Sequence, residues 1–318
     1  MLQVGLIGLG ADWETRTRPA IEKLRQRLEV RSVYAPVLPQ AEQAAAELGC
    51  SVAPGLLSLV ERDDLRALLV FDGAWYGGVP AQFACRAGKA IFLAGSLLEH
   101  LAVAEPLRRH TAESGVTVMP DFGHRYTPAT SRLRELIATR LGKPKNITVT
   151  AYIPVHSDID FKATHAATRN ALGTAIDWCT CVVGSGSASA RVNTESPELY
   201  TRLEFRRTGP EGPSCVASIN VADVACRTGE VPATGSSPVR LHVEIDCASG
   251  RACVDGPINL TWEAGGEQRV ESLAADRPEL EVMLDHFSRR AVGGLIPVPT
   301  LDDVCRAFEL ADAALGGL

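Results

Sequence analysis

The amino-acid sequence predicts an α/β protein with two sheets: a doubly wound parallel sheet first, then an α+β part with a mostly antiparallel open sheet. Short apolar runs alternate with helical patterns up to Gly123, which is typical of parallel strands covered on both faces. Beyond Gly123, helical patterns give way to strand-like segments separated by hairpin turns, as in antiparallel sheets. Two helical patterns close the chain.

The first sheet is predicted from five apolar runs, each bounded by turn or helix signals. These runs are Val4–Gly8, Val30–Tyr34, Arg66–Phe71, Ala90–Leu93 and Val116–Met119. The helical patterns between them are a stretch through Ile21 and Leu24, then Gln40–Leu48, Pro80–Ala87 and Leu101–Ser114. Right-handed crossovers through these helices place helices on both faces of the sheet, which makes it doubly wound.

The second part is predicted to begin with a helix and a strand rich in β-branched residues. Its predicted elements are a helix over Thr130–Leu141, a strand over Asn146–Val155, a helix over Ala171–Val183, strands from about Ala190 to Glu271, and closing helices near Leu280–Ala291 and Leu301–Ala314. We therefore predict one domain over residues 1–123 and a second over 124–318. The final helix, 301–315, is a candidate to pack back on the first domain.

Composition narrows the classes of partner. The 318 residues are 46% hydrophobic and 22% charged with a formal net charge of -6, which is typical of a globular protein and argues against nucleic acid or an anionic membrane as partner. No apolar run reaches the ~18 residues of a membrane span. Residues 1–7 lead directly into a strand pattern without a signal-peptide layout, so we expect a cytoplasmic protein.

The nine cysteines are scattered and odd in number. Cys179 and Cys181 form the closest pair, but two residues apart on a predicted helix they point in different directions. Such a pair suits neither a disulfide nor a shared metal ion. We interpret the cysteines as buried free thiols and expect no metal site.

Four short motifs carry a resemblance to a known family. They are residues 5–10 (GLIGLG), 87–92 (AGKAIF), 124–129 (HRYTPA) and 299–303 (PTLDD). In this order and spacing they resemble the glucose–fructose oxidoreductase and inositol dehydrogenase family, written Gfo/Idh/MocA. The resemblance implies a Rossmann-like first domain that binds NAD or NADP, a second domain that binds a sugar-like substrate, and a homo-oligomer, a dimer or larger, formed through the second-domain sheet.

The positions that would bind the cofactor are only partly kept. Gly8 and Gly10 supply two glycines of the turn where backbone approaches a pyrophosphate, but Trp13 stands in place of the third. The second strand ends at Tyr34 without the acid that would hold ribose hydroxyls. The candidate cofactor-binding residues are Gly8, Gly10, Trp13, Trp75 and Arg125.

Two of these interpretations stay open at this point. The rings of Trp13, Trp75 and Tyr76 either fill the space of a nicotinamide cofactor or pack in the core. Arg125 either reaches a ligand between the domains or pairs with an acid and stabilises their interface.

The positions that the resemblance makes catalytic have changed. The family's lysine is replaced by Gly95, its aspartate by Asn170 and its histidine by Thr174, whereas the final acid, Asp177, is kept. Oxidation of a sugar hydroxyl needs a group that accepts its proton as the hydride leaves. Neither Gly95 nor Thr174 can accept that proton near neutral pH.

Other residues are candidates to replace them. Residues 154–165 (PVHSDIDFKATH) precede the helix that carries Asn170, and they offer Lys162 or His165 for proton transfer. Alternatively, His156, Asp158 and His165 form a metal site, or the whole segment is a solvated polar loop, which we favour. The candidate catalytic residues are Lys162, His165 and Asp177.

Two functions therefore stay open. In the first, the chain is a degenerate member of the family that lacks hydride transfer and either binds a small sugar-like ligand or serves as an assembly module. In the second, it is an active NAD(P)-dependent dehydrogenase of sugars or cyclitols that uses Lys162 or His165.

Overall fold

A computed structural model describes residues 1–71, 76–153, 161–184, 187–192, 200–206, 215–223 and 239–316. The chain divides into two compact units. The first unit comprises Met1–Gly123 and Pro278–Cys305. The second comprises the described residues between His124 and Arg277, together with the chain from Arg306 onward.

The first unit contains a sheet of six parallel strands in the order β3-β2-β1-β4-β5-β6. Its strands are β1 (Leu2–Ile7), β2 (Leu28–Tyr34), β3 (Ser51–Val52), β4 (Ala67–Val70), β5 (Ala90–Leu93) and β6 (Val118–Pro120). Every residue of β4 and β5 is buried, as expected for strands covered on both faces. This strand order is that of doubly wound dinucleotide-binding sheets, so the predicted fold class is confirmed for this unit.

The helices of the first unit include the four predicted crossover helices and others that were not predicted for it. They are a π-helical segment (Trp13–Thr17), α1 (Arg18–Lys23), α2 (Leu38–Leu48), α3 (Leu56–Val60), α4 (Val79–Arg86), α5 (Leu97–Ser114) and, from the later part of the chain, α9 (Glu279–Ala291). The short α6 (Gly123–Tyr126) begins at the last residue of the stretch Met1–Gly123 and continues into the second unit. Helix α5 begins at the N-cap Ser96 and ends at Gly115, whose φ of 69° suits a glycine after a helix.

Pro278–Cys305 belongs to the first unit although it follows the second unit in sequence, so a division at Gly123 alone does not describe the chain. The physical reason is the apolar face of α9. Leu280, Met283 and Phe287 are fully buried, and the Phe287 ring lies 6.0 Å from the ring of Phe92 on β5. Helix α10 (Leu301–Leu315) spans the division, with Cys305 as the last residue in the first unit.

The second unit contains an eight-stranded sheet in the order β14-β13-β12-β11-β7-β10-β9-β8. Its strands are β7 (Pro144–Ile153), β8 (Ser187–Val192), β9 (Tyr200–Arg206), β10 (Cys215–Asp223), β11 (Arg240–Cys247), β12 (Gly250–Asp255), β13 (Asn259–Ala264) and β14 (Glu267–Ser272). Neighbouring strands are antiparallel except for β7 and β10, which run parallel. The predicted, mostly antiparallel sheet and the hairpin of β11 and β12 are confirmed.

Two further helices of the second unit precede or cover this sheet. Helix α7 (Pro128–Leu136) continues into a π-helical segment, Ile137–Leu141. Helix α8 (Phe161–Val183) packs on β7 and β10 and begins ten residues earlier than predicted. In the described part of the chain, no helix combines the length and the apolar character that crossing a bilayer requires.

All the cysteines that the structure describes are free thiols, as predicted. Cys85, Cys179, Cys215 and Cys247 are buried, whereas the other described cysteines are only partly so. Burial raises the pKa of Cys85, Cys215 and Cys247 to about 11, which keeps these thiols protonated at neutral pH.

Candidate functional site

The first group of candidate residues is the turn after β1 in the first unit. Gly8 and Gly10 have φ values of 70° and 74°, a left-handed conformation that favours glycine. The Gly8 N–H donates to the Tyr34 carbonyl at 2.8 Å. A Cβ atom on Gly10 would lie 2.9 Å from the carbonyl oxygen of Phe71, which follows β4. The fold itself therefore requires a glycine at position 10, whether or not a ligand binds.

Trp13 stands close to this turn in sequence, where a dinucleotide fingerprint has its third glycine. The third glycine lets helix and strand pack closely, whereas the Trp13 indole is buried, with 8% of the residue exposed. The chain begins a π-helical segment at Trp13 instead of an α-helix. The local backbone of a dinucleotide fingerprint is therefore changed here.

Aromatic rings occupy the end of β2. The ring centroids of Tyr34 and Tyr76 are 5.9 Å apart with an interplanar angle of 44°. Tyr76 also packs against the apolar core of the first unit, which favours core packing for this ring. Trp75 lies outside the described residues. At the end of β2, where a ribose-binding acid would stand, the structure has this tyrosine pair instead.

Gly95 follows β5, at the position where the resemblance implies a lysine. Its φ is 135°, and a Cβ atom there would lie 2.5 Å from Glu99 Oε2 and 3.7 Å from His100 Cε1. The Ser96 hydroxyl accepts from the Glu99 N–H at 3.3 Å and donates to Glu99 Oε1 at 3.1 Å. Ser96 thus holds an exposed carboxylate in the space where a lysine side chain would begin.

His100 lies behind this carboxylate and is 3% exposed. Burial lowers its pKa to about 4, against smaller opposing effects of the Asp121 charge and a hydrogen bond with the Gly95 backbone. Among the described residues no group hydrogen-bonds to His100 Nε2. Glu99 and His100 did not emerge from the sequence, although Ser96 followed three residues later by Glu99 is the pattern of a capping box.

A second, separate group of candidate residues lies on α8 of the second unit. Asn170, Thr174 and Asp177 are buried, with 5%, 2% and 3% of each residue exposed. The Thr174 hydroxyl donates to the Asn170 carbonyl of the same helix at 2.8 Å. The Thr174 hydroxyl, at the position where the resemblance implies a histidine, therefore donates its proton to a hydrogen bond within the helix.

Asp177 is an ion-paired carboxylate. Arg125 donates to both of its oxygens, with Nε 2.8 Å from Oδ2, and His124 Nε2 lies 2.6 Å from the same Oδ2. Burial raises the pKa of Asp177, but the hydrogen bonds and charge of Arg125, reinforced by His124, outweigh burial and lower the pKa below its ordinary value. Of the two interpretations of Arg125, the structure shows pairing with an acid.

Lys162 and His165 lie in the first turns of α8, because the helix starts at Phe161. The prediction that the segment up to His165 is a loop is therefore wrong for 161–165. The apolar repeat of this helix is weak over these residues, which is why the sequence pattern missed them. His165 is exposed, and the Lys162 side chain, His156 and Asp158 lie outside the described residues. Among the described residues, no group of His, Cys, Asp and Glu side chains could hold a metal ion.

The outer face of the second sheet bears on the predicted oligomer. Ile147, Val149 and Ala151 of β7 are buried, whereas Thr148 between them is exposed. Cross-strand ion pairs join neighbouring strands, with Arg251 2.8 Å from Glu263 and Arg240 3.0 Å from Asp255. A polar, internally paired face is typical of an antiparallel sheet exposed to water. Dimer formation through this sheet stays a prediction.

Solved structures resemble this chain over its full length. A dehydrogenase (MviM) from Clostridium difficile has 14% identity and a TM-score of 0.73, with 100% of this chain and 99% of that chain covered. Levoglucosan dehydrogenase in complex with NADH and levoglucosan has 16% identity and a TM-score of 0.72, with 99% and 96% covered. The chain has the fold of the Gfo/Idh/MocA dehydrogenases. An aldose–aldose oxidoreductase from Caulobacter crescentus complexed with glycerol adds 13% identity and a TM-score of 0.74, with 100% and 98% covered.

The TM-scores confirm the Gfo/Idh/MocA fold that the motifs predicted, and at identities this low they show the fold alone. The sequence matches no protein-family profile and no curated protein. The residues of the first unit do not fit a nicotinamide dinucleotide: Trp13 is buried in place of a glycine, Tyr34 packs on Tyr76 where a ribose-binding acid is expected, and Gly95 replaces the lysine. Gly8 and Gly10 keep the turn, but packing against Phe71 accounts for the glycine at position 10 without a ligand.

Proposed function

We propose that this protein uses the Gfo/Idh/MocA fold as a binding scaffold and does not catalyse hydride transfer. The observation that carries the proposal is the hydrogen bonding of Thr174 and Asp177 on α8. Thr174 is buried with its hydroxyl bonded to the Asn170 carbonyl, and Asp177 is paired with Arg125. Side chains at catalytic positions are expected to face a ligand, whereas Thr174 bonds to its own helix backbone and Asp177 pairs with Arg125 and His124.

The chemistry of hydride transfer also argues against catalysis by these residues. Removing a hydride from an alcohol carbon leaves a proton that a positioned base accepts, which contributes roughly 10²–10⁴ in rate. A glycine has no such group, and the hydroxyl of Thr174 and the amide of Asn170 are not bases at neutral pH. The carboxylate of Asp177 is a poor base because Arg125 lowers its pKa.

A small polar, sugar-like molecule is the ligand that we propose. Two proteins of the same fold were solved with levoglucosan and with glycerol, which supports a polyol as the ligand class. We expect NADH and NADPH not to bind at micromolar concentration, since Trp13 and Tyr34 stand where the dinucleotide would need a glycine and an acid.

The test is a titration of the purified protein with NADH and NADPH, followed by tryptophan fluorescence and by calorimetry. In parallel, NAD(P)⁺ reduction is measured over a panel of sugars and cyclitols. We expect no binding and no reduction, while at least one polyol raises the melting temperature. Micromolar binding of either cofactor together with turnover would overturn the proposal.

One observation favours a second candidate, an active dehydrogenase with a replaced base. The exposed Glu99 carboxylate lies beside Gly95, at the carboxyl end of β5. If turnover is found, Glu99→Gln abolishes it in this second case. Lys162→Met and His165→Gln test the two bases predicted from the sequence in the same assay. The variant that loses turnover while its melting temperature is unchanged identifies the base.

A further inference from the structure

The first unit contains a cleft that lies away from the candidate site. Its volume is about 720 Å³, which is within the range of small-molecule sites. The second half of α5, the chain leading into β6, and the segment between α9 and α10 form its walls. The lining residues used below are Glu105, Arg108, Arg109, Arg290, Leu295 and Asp302.

The cleft lies at the opposite edge of the sheet from the glycine turn. Val116 and Thr117, which line it, lead into the amino end of β6. Gly8 and Gly95 follow the carboxyl ends of β1 and β5. Since all six strands are parallel, their amino ends share one edge and their carboxyl ends the other. A ligand in the cleft would therefore be independent of the proposed function.

Three arginines and two acids line the cleft. Arg108 is already paired, with Nε 2.6 Å from Asp302 and Nη1 3.7 Å from Glu105. Among the described residues, Arg109 forms no ion pair, and Arg290 donates to the Gly294 carbonyl at 3.3 Å. The guanidinium groups of Arg109 and Arg290 therefore keep donors for an anion, on a chain whose net charge is -6.

Apolar residues also line the cleft. Leu295 is 93% exposed, the most exposed of the large hydrophobic residues in the described chain, and 296–298 (Ile-Pro-Val) continue the wall. The turn before it is fixed, because Gly293 has a φ of 92° and the N–H groups of Gly293 and Gly294 donate to the carbonyls of Arg290 and Arg289. The turn that leads into Leu295 is thus held in place, and the leucine itself is uncovered.

We propose that this cleft binds a small amphipathic carboxylate. Its carboxylate accepts hydrogen bonds from Arg109 and Arg290, and its apolar chain covers Leu295 and the residues after it. A guanidinium group matches the two oxygens of a carboxylate, and an exposed leucine gains from being covered. Among the described residues neither Arg109 nor Arg290 pairs with a carboxylate, and apolar residues line the same cleft, so a molecule with a carboxylate and an apolar chain matches both parts.

Isothermal titration calorimetry with three probes tests the ligand class. Octanoate carries both parts, octanamide has the same chain without the charge, and acetate has the charge without the chain. We expect octanoate to bind at least about tenfold more tightly than either of the other probes, as the loss of a charge-assisted hydrogen bond or of a buried chain predicts. Octanoate binding no more tightly than octanamide, or not binding at all, would overturn the proposal.

Variants of the lining residues test whether octanoate binds in this cleft. Arg109→Gln and Leu295→Ser are each expected to weaken octanoate binding about tenfold, because each removes one half of the recognition. Both residues are exposed, so the melting curves of the variants are expected to match that of the original protein. Arg25→Gln removes an exposed arginine of the same unit outside the cleft and serves as the matched control. Octanoate binding unchanged in Arg109→Gln would also overturn the proposal.

Discussion

The glycine turn after β1 and the polar face of α8 differ in what they keep of the dehydrogenase pattern. Gly8 and Gly10 are the expected residues, and both adopt the left-handed conformation that favours glycine. On α8, two of the three expected residue types are absent, and Asn170 and Thr174 are bonded to each other within the helix. The expected residue types are present where the backbone conformation requires them. They are absent where only the dehydrogenase reaction would require them.

Asp177 refines this comparison because it is both expected and present. Its carboxylate is bound by Arg125 and His124 inside the second unit, so stability alone is a sufficient reason for its presence. Gly10 is required by steric contact and Asp177 by charge pairing. The variants below separate these causes. A variant that changes ligand binding but not stability would show that its residue is kept for function and not for the fold.

The largest effect is expected for Asp177→Ala. The substitution removes a buried carboxylate that accepts hydrogen bonds from Arg125 and contacts His124, and breaking such a buried ion pair costs about 3–5 kcal/mol in the free energy of unfolding. Asp312→Ala is the matched control, because Asp312 pairs with Arg169 through two hydrogen bonds on the surface of the same unit and is 50% exposed. Exposed pairs contribute about 0–1 kcal/mol. Urea unfolding at pH 7 measures both losses, and equal losses would contradict a structural role for Asp177.

The next effect is expected for Gly10→Ala. A left-handed alanine costs about 1–2 kcal/mol, and the contact of its Cβ with the Phe71 carbonyl adds at least about 1 kcal/mol. Gly49→Ala is the control, since Gly49 has a φ of 69° but no atom within 4 Å of its Cβ position. Urea unfolding of the two variants separates the contact from the backbone strain. An equal loss in both would show that the Phe71 contact contributes nothing.

The sequence predicted those elements whose pattern is local. The strands β4 and β5 are short apolar runs, and burial on both faces makes such runs recognisable. The two-residue β3, Ser51–Val52, has no pattern to recognise. The start of α8 was missed because 161–170 (FKATHAATRN) has a weak apolar repeat.

The candidate site could be predicted less well, since it depends on contacts between distant residues. Arg125 and Asp177 are 52 positions apart, and nothing in the residues themselves pairs them. The place of Glu99 beside Gly95 follows from the capping interaction with Ser96, a local signal that was available in the sequence. The return of Pro278–Cys305 to the first unit depends on three-dimensional packing of Phe287 against Phe92.

A pH dependence of stability is expected from His100 in the first unit. Its pKa falls from the usual 6.5 to about 4 on folding, so the unfolded state binds more protons between these values and stability is lost as pH falls through that window. Between pH 7 and pH 5 the loss is about 2 kcal/mol. Asp177, whose pKa is lowered, loses its contribution only at more acidic pH, as its carboxylate becomes protonated. His100→Gln is expected to remove the loss between pH 7 and pH 5, whereas His165→Gln, at an exposed residue, keeps it.

The smallest effect is expected for Thr174→Val, which keeps the shape of the side chain and removes the hydroxyl. The Asn170 carbonyl that the hydroxyl contacts belongs to the same helix, so the free energy of unfolding changes by less than about 1 kcal/mol. Thr180→Val is the matched control, because its hydroxyl donates to the Ile176 carbonyl at 2.9 Å in the same way. Urea unfolding and the polyol-induced rise in melting temperature are measured for both. A rise that disappears in Thr174→Val alone, with unfolding unchanged, would mean that this hydroxyl contacts the ligand, and α8 would then have kept a function that its internal hydrogen bond conceals.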